Sequence, residues 1–298
     1  MKYEQITLTN TVRENLPGKF IKLSKGYTHY ELLEANGPNA DGPKGSDLVV
    51  LVHGFSSPMF VWDKVAPFLK KNGFNVLRYD LYGRGFSDRP NYTYDKDIYD
   101  SQLINLLSAL GYEDTSFHLV GLSMGGEIST IFTSRHPEKI KTLTLVDPAG
   151  LPTDLSTPPN FVLKIPFVKY IINRIMIGNL DKNFYRPENF PEYEQKYTAQ
   201  MQYKGFRDAI KSSLLHMDMQ GASEEFKKAG NTQIPKLLFW GENDETIPYE
   251  VHEKVQEKMK DLKFVSVPEC GHMPNYEQPN IFNNALLEFL QTHSKQKQ

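Results

Sequence analysis

Cysteine is nearly missing from this chain. Cys270 is the single thiol in 298 residues, so no intramolecular disulfide framework can hold the fold, and the composition suits a reducing, cytoplasmic setting. Long hydrophobic runs are missing too. The most apolar stretch, "FVLKIPFVKYIINRIMIG" at 161–178, is interrupted by Lys164, Pro166, Lys169 and Arg174. It falls short of the ~18–20 uninterrupted apolar residues of a membrane span. The opening "MKYEQITLTNTVRENLPGKF" lacks the apolar centre of a secretory signal. Charge of one sign is not in excess. The formal net charge of -2 excludes the basic footprint of a nucleic-acid-binding protein and the acidic excess of a solvating tail. No internal repeat or low-complexity segment is visible. What remains is 39% hydrophobic and 23% charged residues, the balance of a globular protein whose length suits one large domain or a core with an insertion.

Short β-rich runs alternate with helical patterns. "GKFIKL" and "THYELLEA" read as the first strands, followed by the turn-rich "NGPNADGPKGSD". "DLVVLVHG", "FNVLRYD", "SFHLVGLS", "KIKTLTLVD", "PKLLFWGEND" and "LKFVSVPEC" complete the series. "DLVVLVHG" is apolar without alternation, as expected of a strand buried on both faces. Helices are expected at 61–71, 95–110, 249–260 and 281–293. This alternation predicts a mainly parallel sheet covered on both faces. The rhythm fails from 151 to 233, where a proline-rich exit, "LPTDLSTPPN", leads into a helical stretch. That stretch is expected to form a cap over the carboxyl edge of the sheet, where open α/β sheets bind ligands. The domain reading is a core of 1–150 and 234–298 with a helical cap at 151–233.

"GLSMG", residues 121–125, places Ser123 between two glycines after a buried strand and before a helix. In that context Gly-x-Ser-x-Gly reads as a strained turn that lifts a serine hydroxyl clear of the sheet and aims the Met124 amide at the carbon under attack. By itself the pentapeptide is a common accident, and its serine could be a plain helix N-cap. A serine hydroxyl needs a base. Of eight histidines, His272 in "PECGHMPNYEQP" follows the last strand and shares its edge with Ser123. Asp244 in "WGENDETIP" also lies just beyond a strand and would fix the imidazole tautomer, giving the order Ser, Asp, His. Asp147 in "LVDPAG" ends another strand and is a rival acid. "LVHGFSSP" supplies a second turn, whose Phe55 amide would join that of Met124 as an oxyanion donor. His53 and Gly54 of this turn, with Trp240 and Met273, are expected around the substrate, and His53 is also read as stabilising the turn. Asp80, Arg84 and Asp88 in "YDLYGRGFSDRP" are read as loop scaffolding.

Taken together, "HGF", "YDLYGRGFSD", "GLSMGG", "GEND…IP" and "GHMPNYEQP" resemble the α/β-hydrolase superfamily over nearly the whole chain. The resemblance implies an eight-stranded sheet, a cap after strand six, Ser123 as nucleophile, His272 as base and Asp244 as acid. Phe55 and Met124 would be the oxyanion donors. Epoxide hydrolases and haloalkane dehalogenases carry aspartate where this chain has Ser123. Proline iminopeptidases usually show "HGGPG" where this chain has "HGFSS". Hydrolases of meta-cleavage products typically show tryptophan where this chain has Met273. Carboxylesterases and monoacylglycerol-lipase-like enzymes fit without a missing part. The expected chemistry is ester hydrolysis without metal or organic cofactor on a small-molecule ester. Weak contact with a lipid interface would come through the cap. Carbon–carbon bond hydrolysis is the alternative chemistry, and a non-catalytic ligand-binding scaffold the alternative class.

Overall fold

The computed structural model describes residues 3–36, 46–153 and 168–294. Its sheet has eight strands in the order β1-β2-β4-β3-β5-β6-β7-β8. These are β1 (Lys19–Leu23), β2 (Gly26–Leu33), β3 (Leu48–Val52), β4 (Asn75–Tyr79), β5 (Phe117–Leu122), β6 (Ile140–Val146), β7 (Lys236–Gly241) and β8 (Leu262–Val267). β2 pairs antiparallel with both β1 and β4, and every later pairing is parallel. This is the expected α/β-hydrolase sheet. β3, β5 and β7 are buried along their whole length, which explains their unbroken apolar sequences, whereas the edge strands β1 and β8 are only partly covered.

Alternation along β3 divides the core in two. Val50 and Val52 pack on one face with Leu103, Ile128, Phe226 and Val255, whereas Val49 and Leu51 pack on the other with Leu69, Phe282 and Leu286. The first face is thus covered by helices Lys96–Ala109, Met124–Arg135, Ser223–Gly230 and Val251–Lys258, the second by Ala66–Lys71 and Pro279–His293. Lys96–Ala109 begins where the Asp95 carboxylate accepts the Asp97 and Ile98 amides at 3.0 and 3.1 Å. The segment expected as one helix at 61–71 is a 3₁₀ turn, Met59–Trp62, followed by a separate short helix.

Between β6 and β7 the described chain is helical, in short pieces. Val168–Gly178 and Phe206–His216 are joined by 3₁₀ turns and Glu192–Thr198. Tyr193, Tyr197, Met201, Phe206 and Ile210 extend the second core face upward. Ser223–Gly230 instead packs against Met124–Arg135, within the layer below the sheet's carboxyl edge. The proline-rich exit beyond residue 153, the apolar run at 161–167, most of the turn-rich segment at 36–47 and the chain end beyond 294 lie outside the described residues. Among the described residues no helix is long and apolar enough to cross a membrane.

Candidate active site

Ser123 sits between β5 and its helix with φ 55° and ψ -121°, a conformation costing about 1–3 kcal/mol in a non-glycine residue. Backbone bonds hold it there. Its amide donates to Val146 O at 2.9 Å, and its carbonyl accepts from Gly126 at 2.8 Å and Ala149 at 3.0 Å. The flanking glycines are required by packing. A Cβ on Gly121 would overlap the Gly125 carbonyl, and one on Gly125 would overlap the carbonyls of Val52 and His53. The turn after β3 approaches equally closely: a Cβ on Gly54 would lie 3.2 Å from Ser123 Cβ.

That turn is fixed by His53, which is wholly buried. Its Nε2 accepts the Leu81 amide at 2.9 Å, so Nδ1 carries the proton and donates to Gly54 O at 2.8 Å. Burial lowers its pKa to about 4, so the ring is neutral near pH 7. The Gly54 carbonyl and Phe55 N–H belong to one peptide group. His53 therefore orients the amide expected to face an oxyanion. Arg84 secures the next peptide. It is fully buried, donates from Nε to Phe55 O at 2.7 Å and from Nη2 to Ser213 Oγ at 2.9 Å, and lies over the Phe55 ring. The Met124 amide opens its helix, where an N–H has no intrahelical acceptor.

The loops after β7 and β8 bring Asp244 and His272 together. His272 Nδ1 lies 2.6 Å from Asp244 Oδ2. Asp244 Oδ1 accepts the amides of Thr246 and Ile247 at 2.7 and 2.9 Å, an Asx turn that holds the carboxylate still. His272 Nε2 is buried and has no hydrogen-bond partner among the described residues; with the proton on Nδ1, that nitrogen offers a lone pair. Its loop then runs back across the sheet edge, where Asn275 Nδ2 donates to Val61 O at 2.8 Å beyond β3. Cys270 is buried against Gly271, and burial raises its thiol pKa, so it is a neutral small side chain.

Asp147 closes the group. It follows β6 with φ 41°, and its Oδ1 accepts the Gly241 amide at 2.9 Å. One ligand atom each from Asp147, Asp244 and His272 lie within 4.8 Å of one another. Within it His272 Nδ1 is hydrogen-bonded to Asp244 Oδ2, while Asp147 is held through Oδ1 by the Gly241 amide. Burial first, and the charge of Asp244 second, push the Asp147 carboxyl well above the usual range.

Two sequence expectations need correction. Trp240 is wholly buried in the core, with its indole N–H on Ile247 O at 3.2 Å; its side of β7 faces the helical layer, so it cannot line a pocket. His53 has both nitrogens occupied within the fold and offers nothing to a substrate, which leaves it the turn-stabilising role. Met273 is also buried, its sulfur accepting from Tyr193 OH at 3.3 Å, while Ser57 Oγ donates to the same phenol at 2.7 Å. Phe55 is partly exposed. Sequence reasoning missed Tyr193 and Gln200, which tie the helical region to these loops. Gln200 bonds Ser56 O at 2.7 Å and the Gly85 amide at 2.9 Å. Their partners lie 80 or more residues away in sequence, a separation no local pattern reveals.

A strained serine elbow on a mostly parallel eight-stranded sheet, with a His–Asp pair on later loops, defines an α/β-hydrolase architecture. The alpha/beta hydrolase fold family model matches residues 47–279; the chain belongs to that family and is classed as a hydrolase. Lipase 3 of Moraxella sp. (strain TA144) is 27% identical over 287 residues, covering 91% of this chain and 88% of the lipase. A thermophilic esterase from Thermogutta terrifontis superposes with a TM-score of 0.76 at 20% identity, over 93% of this chain and 100% of the other. A meta-cleavage product hydrolase from Pseudomonas fluorescens IP01 gives 0.74 at 24% identity, over 93% and 98%.

Proposed function

We propose that this protein hydrolyses carboxylic esters through a Ser123–His272–Asp244 triad and an acyl-enzyme. The observation that carries the proposal is a buried imidazole hydrogen-bonded to a carboxylate through Nδ1 and uncommitted at Nε2. His272 Nε2 takes the proton as Ser123 Oγ attacks the ester carbonyl. The Phe55 and Met124 amides hold the oxyanion, and removal of one such donor typically costs about 10²–10³ in kcat. His272 then protonates the departing alkoxide. Water, deprotonated by the same nitrogen, cleaves the acyl-enzyme and restores the serine. No step calls for a metal or organic cofactor. The similarity to Lipase 3 favours an ester over other acyl substrates. The helical region between β6 and β7 would set acyl or alcohol size, and its apolar side chains could meet a lipid interface.

A chromogenic ester mixed rapidly with the enzyme should release a burst of alcohol equal to the enzyme concentration, followed by slower turnover. Ser123→Ala should abolish both phases; turnover that survives it removes the proposal. A vinylogous diketone assayed beside the ester separates carbon–carbon bond hydrolysis, the chemistry named for the meta-cleavage relative. Faster turnover of the diketone would replace ester hydrolysis by that chemistry.

A further inference from the structure

We infer that Asp147 is a neutral carboxylic acid that donates its proton to Asp244, making it a positioning residue for the triad acid. The inference rests on the proposed Ser123–His272–Asp244 reading and adds a fourth member to it.

The geometry has three parts. First, both carboxyls are buried at the same sheet edge, each with an oxygen in a cluster whose atoms lie within 4.8 Å of one another. Two buried carboxylates this close strongly disfavour a second negative charge, so one keeps a proton. Second, the donors are unequally shared. Asp244 collects N–H groups from Thr246, Ile247 and His272. Asp147 receives one, from Gly241 on Oδ1, and its buried Oδ2 has no donor among the described residues. The charge belongs where the donors converge, and the proton belongs on the oxygen that lacks one. Third, the backbone is strained at this position, since Asp147 adopts a left-handed φ of 41° as a non-glycine residue. The titratable groups facing it are Asp244 beyond β7 and, beyond β8, His272 and the neutral thiol of Cys270.

A neutral acid here has a defined use. Its proton gives the Asp244 carboxylate a further hydrogen bond beside those from Thr246, Ile247 and His272, which keeps it from rotating off His272. It does so without adding a second negative charge beside the imidazole. Asparagine mimics it closely: the amide oxygen can accept from Gly241 while the amide NH₂ donates to Asp244.

The test compares Asp147→Asn with Asp147→Ala on a chromogenic ester across pH. Alanine should lower kcat about 10–100-fold with KM little changed, the scale of a misplaced catalytic group. Asparagine should recover most of this, to within about fivefold of the native enzyme. The acid limb of kcat/KM reports the free imidazole and should stay within ~0.3 pH units in Asp147→Asn. An ionised Asp147 would make that substitution remove a negative charge and lower the limb by ~1 unit or more. An asparagine variant as poor as Asp244→Asn, an alanine variant as active as the native enzyme, or a lowered acid limb each overturns the inference. A readout independent of turnover uses infrared difference spectroscopy. Asp147→Asn should remove a protonated-carboxyl C=O band that the control Glu127→Gln leaves in place, and failure to remove one overturns the inference as well. Absence of any ester burst in the native protein would instead overturn the triad reading, leaving the infrared result to decide the proton on Asp147.

Discussion

Among the described residues two histidine–aspartate pairs have both partners buried, and what sets them apart lies at one atom. His29 Nδ1 lies 2.7 Å from Asp80, and His272 Nδ1 lies 2.6 Å from Asp244. Each aspartate also accepts two backbone amides, from Met59 and Phe86 in the first pair and from Thr246 and Ile247 in the second. The far nitrogen separates them. His29 Nε2 is 2.8 Å from Pro17 O, a carbonyl that can only accept, so both nitrogens carry protons. Asp80, opposing the desolvation of the ring, raises the His29 pKa. His272 Nε2 has no hydrogen-bond partner among the described residues. A doubly donating imidazolium is a clamp; an imidazole with one free lone pair is a base. A His–Asp contact alone therefore says little about chemistry, and the unoccupied nitrogen says most.

The largest effects should break this contrast directly. Asp244→Asn should lower kcat about 10⁴-fold, by analogy with loss of a triad acid that fixes the tautomer. Asp80 sits in an equally short pair, yet His29→Asn should leave turnover per folded molecule within about threefold. Steady-state kinetics on protein whose folded fraction has been measured compares the two. Equal losses would mean that the two pairs have the same role.

A smaller effect is expected at the turn after β3. His53→Ala removes the donor to Gly54 O and leaves the Leu81 amide unpaired. It should lower kcat about 10–100-fold with KM little altered, because the Phe55 amide is one of the two proposed oxyanion donors. An unchanged kcat would release Phe55 from that role.

The smallest effects are on stability, and their pH dependences run in opposite directions. His29 has a raised pKa. Above the ordinary histidine value the unfolded chain sheds its proton while the folded ring retains it, so this contribution is complete at low pH and is lost as pH rises through the folded pKa. His53→Ala probes the reverse case. The His53 pKa is lowered to about 4, so between ~6.5 and ~4 the unfolded chain takes up a proton that the folded ring refuses. Stability then falls with pH by up to about 3 kcal/mol. Urea unfolding from pH 4 to 8 should show the advantage of the native protein over His29→Asn shrinking as pH rises. Its advantage over His53→Ala should shrink as pH falls. Parallel slopes would contradict the opposite assignments.

Much of this was legible in the sequence, for physical reasons. β3, β5 and β7 announce themselves because burial on both faces demands uninterrupted apolar residues. The serine elbow is legible because the close approach of Gly121 and Gly125 to neighbouring carbonyls forbids any other residue there. His272 and Asp244 follow from their positions after consecutive parallel strands. What stayed hidden depends on distant partners. Nothing local says that Arg84 bonds Phe55 O, that Tyr193 joins Ser57 to Met273, or that Trp240 turns its indole toward Ile247. The sequence at 180–202 reads as helical, yet the chain there forms three 3₁₀ turns and one short helix, with Pro187 opening one turn and Pro191 preceding Glu192–Thr198, each removing a backbone donor. Asp147 was recognised as a rival acid, but which carboxyl holds the charge depends on a count of donors that only the folded arrangement supplies.

The most direct measurement is the rate and position of covalent modification by a fluorophosphonate, read by peptide mass spectrometry in the native protein and in His272→Gln and His29→Gln. One adduct on Ser123 is expected. It should form at a near-native rate in His29→Gln and at least about 10³-fold more slowly in His272→Gln, since the unassisted hydroxyl is a poor nucleophile. An adduct on another residue, or a rate indifferent to His272, would contradict the account.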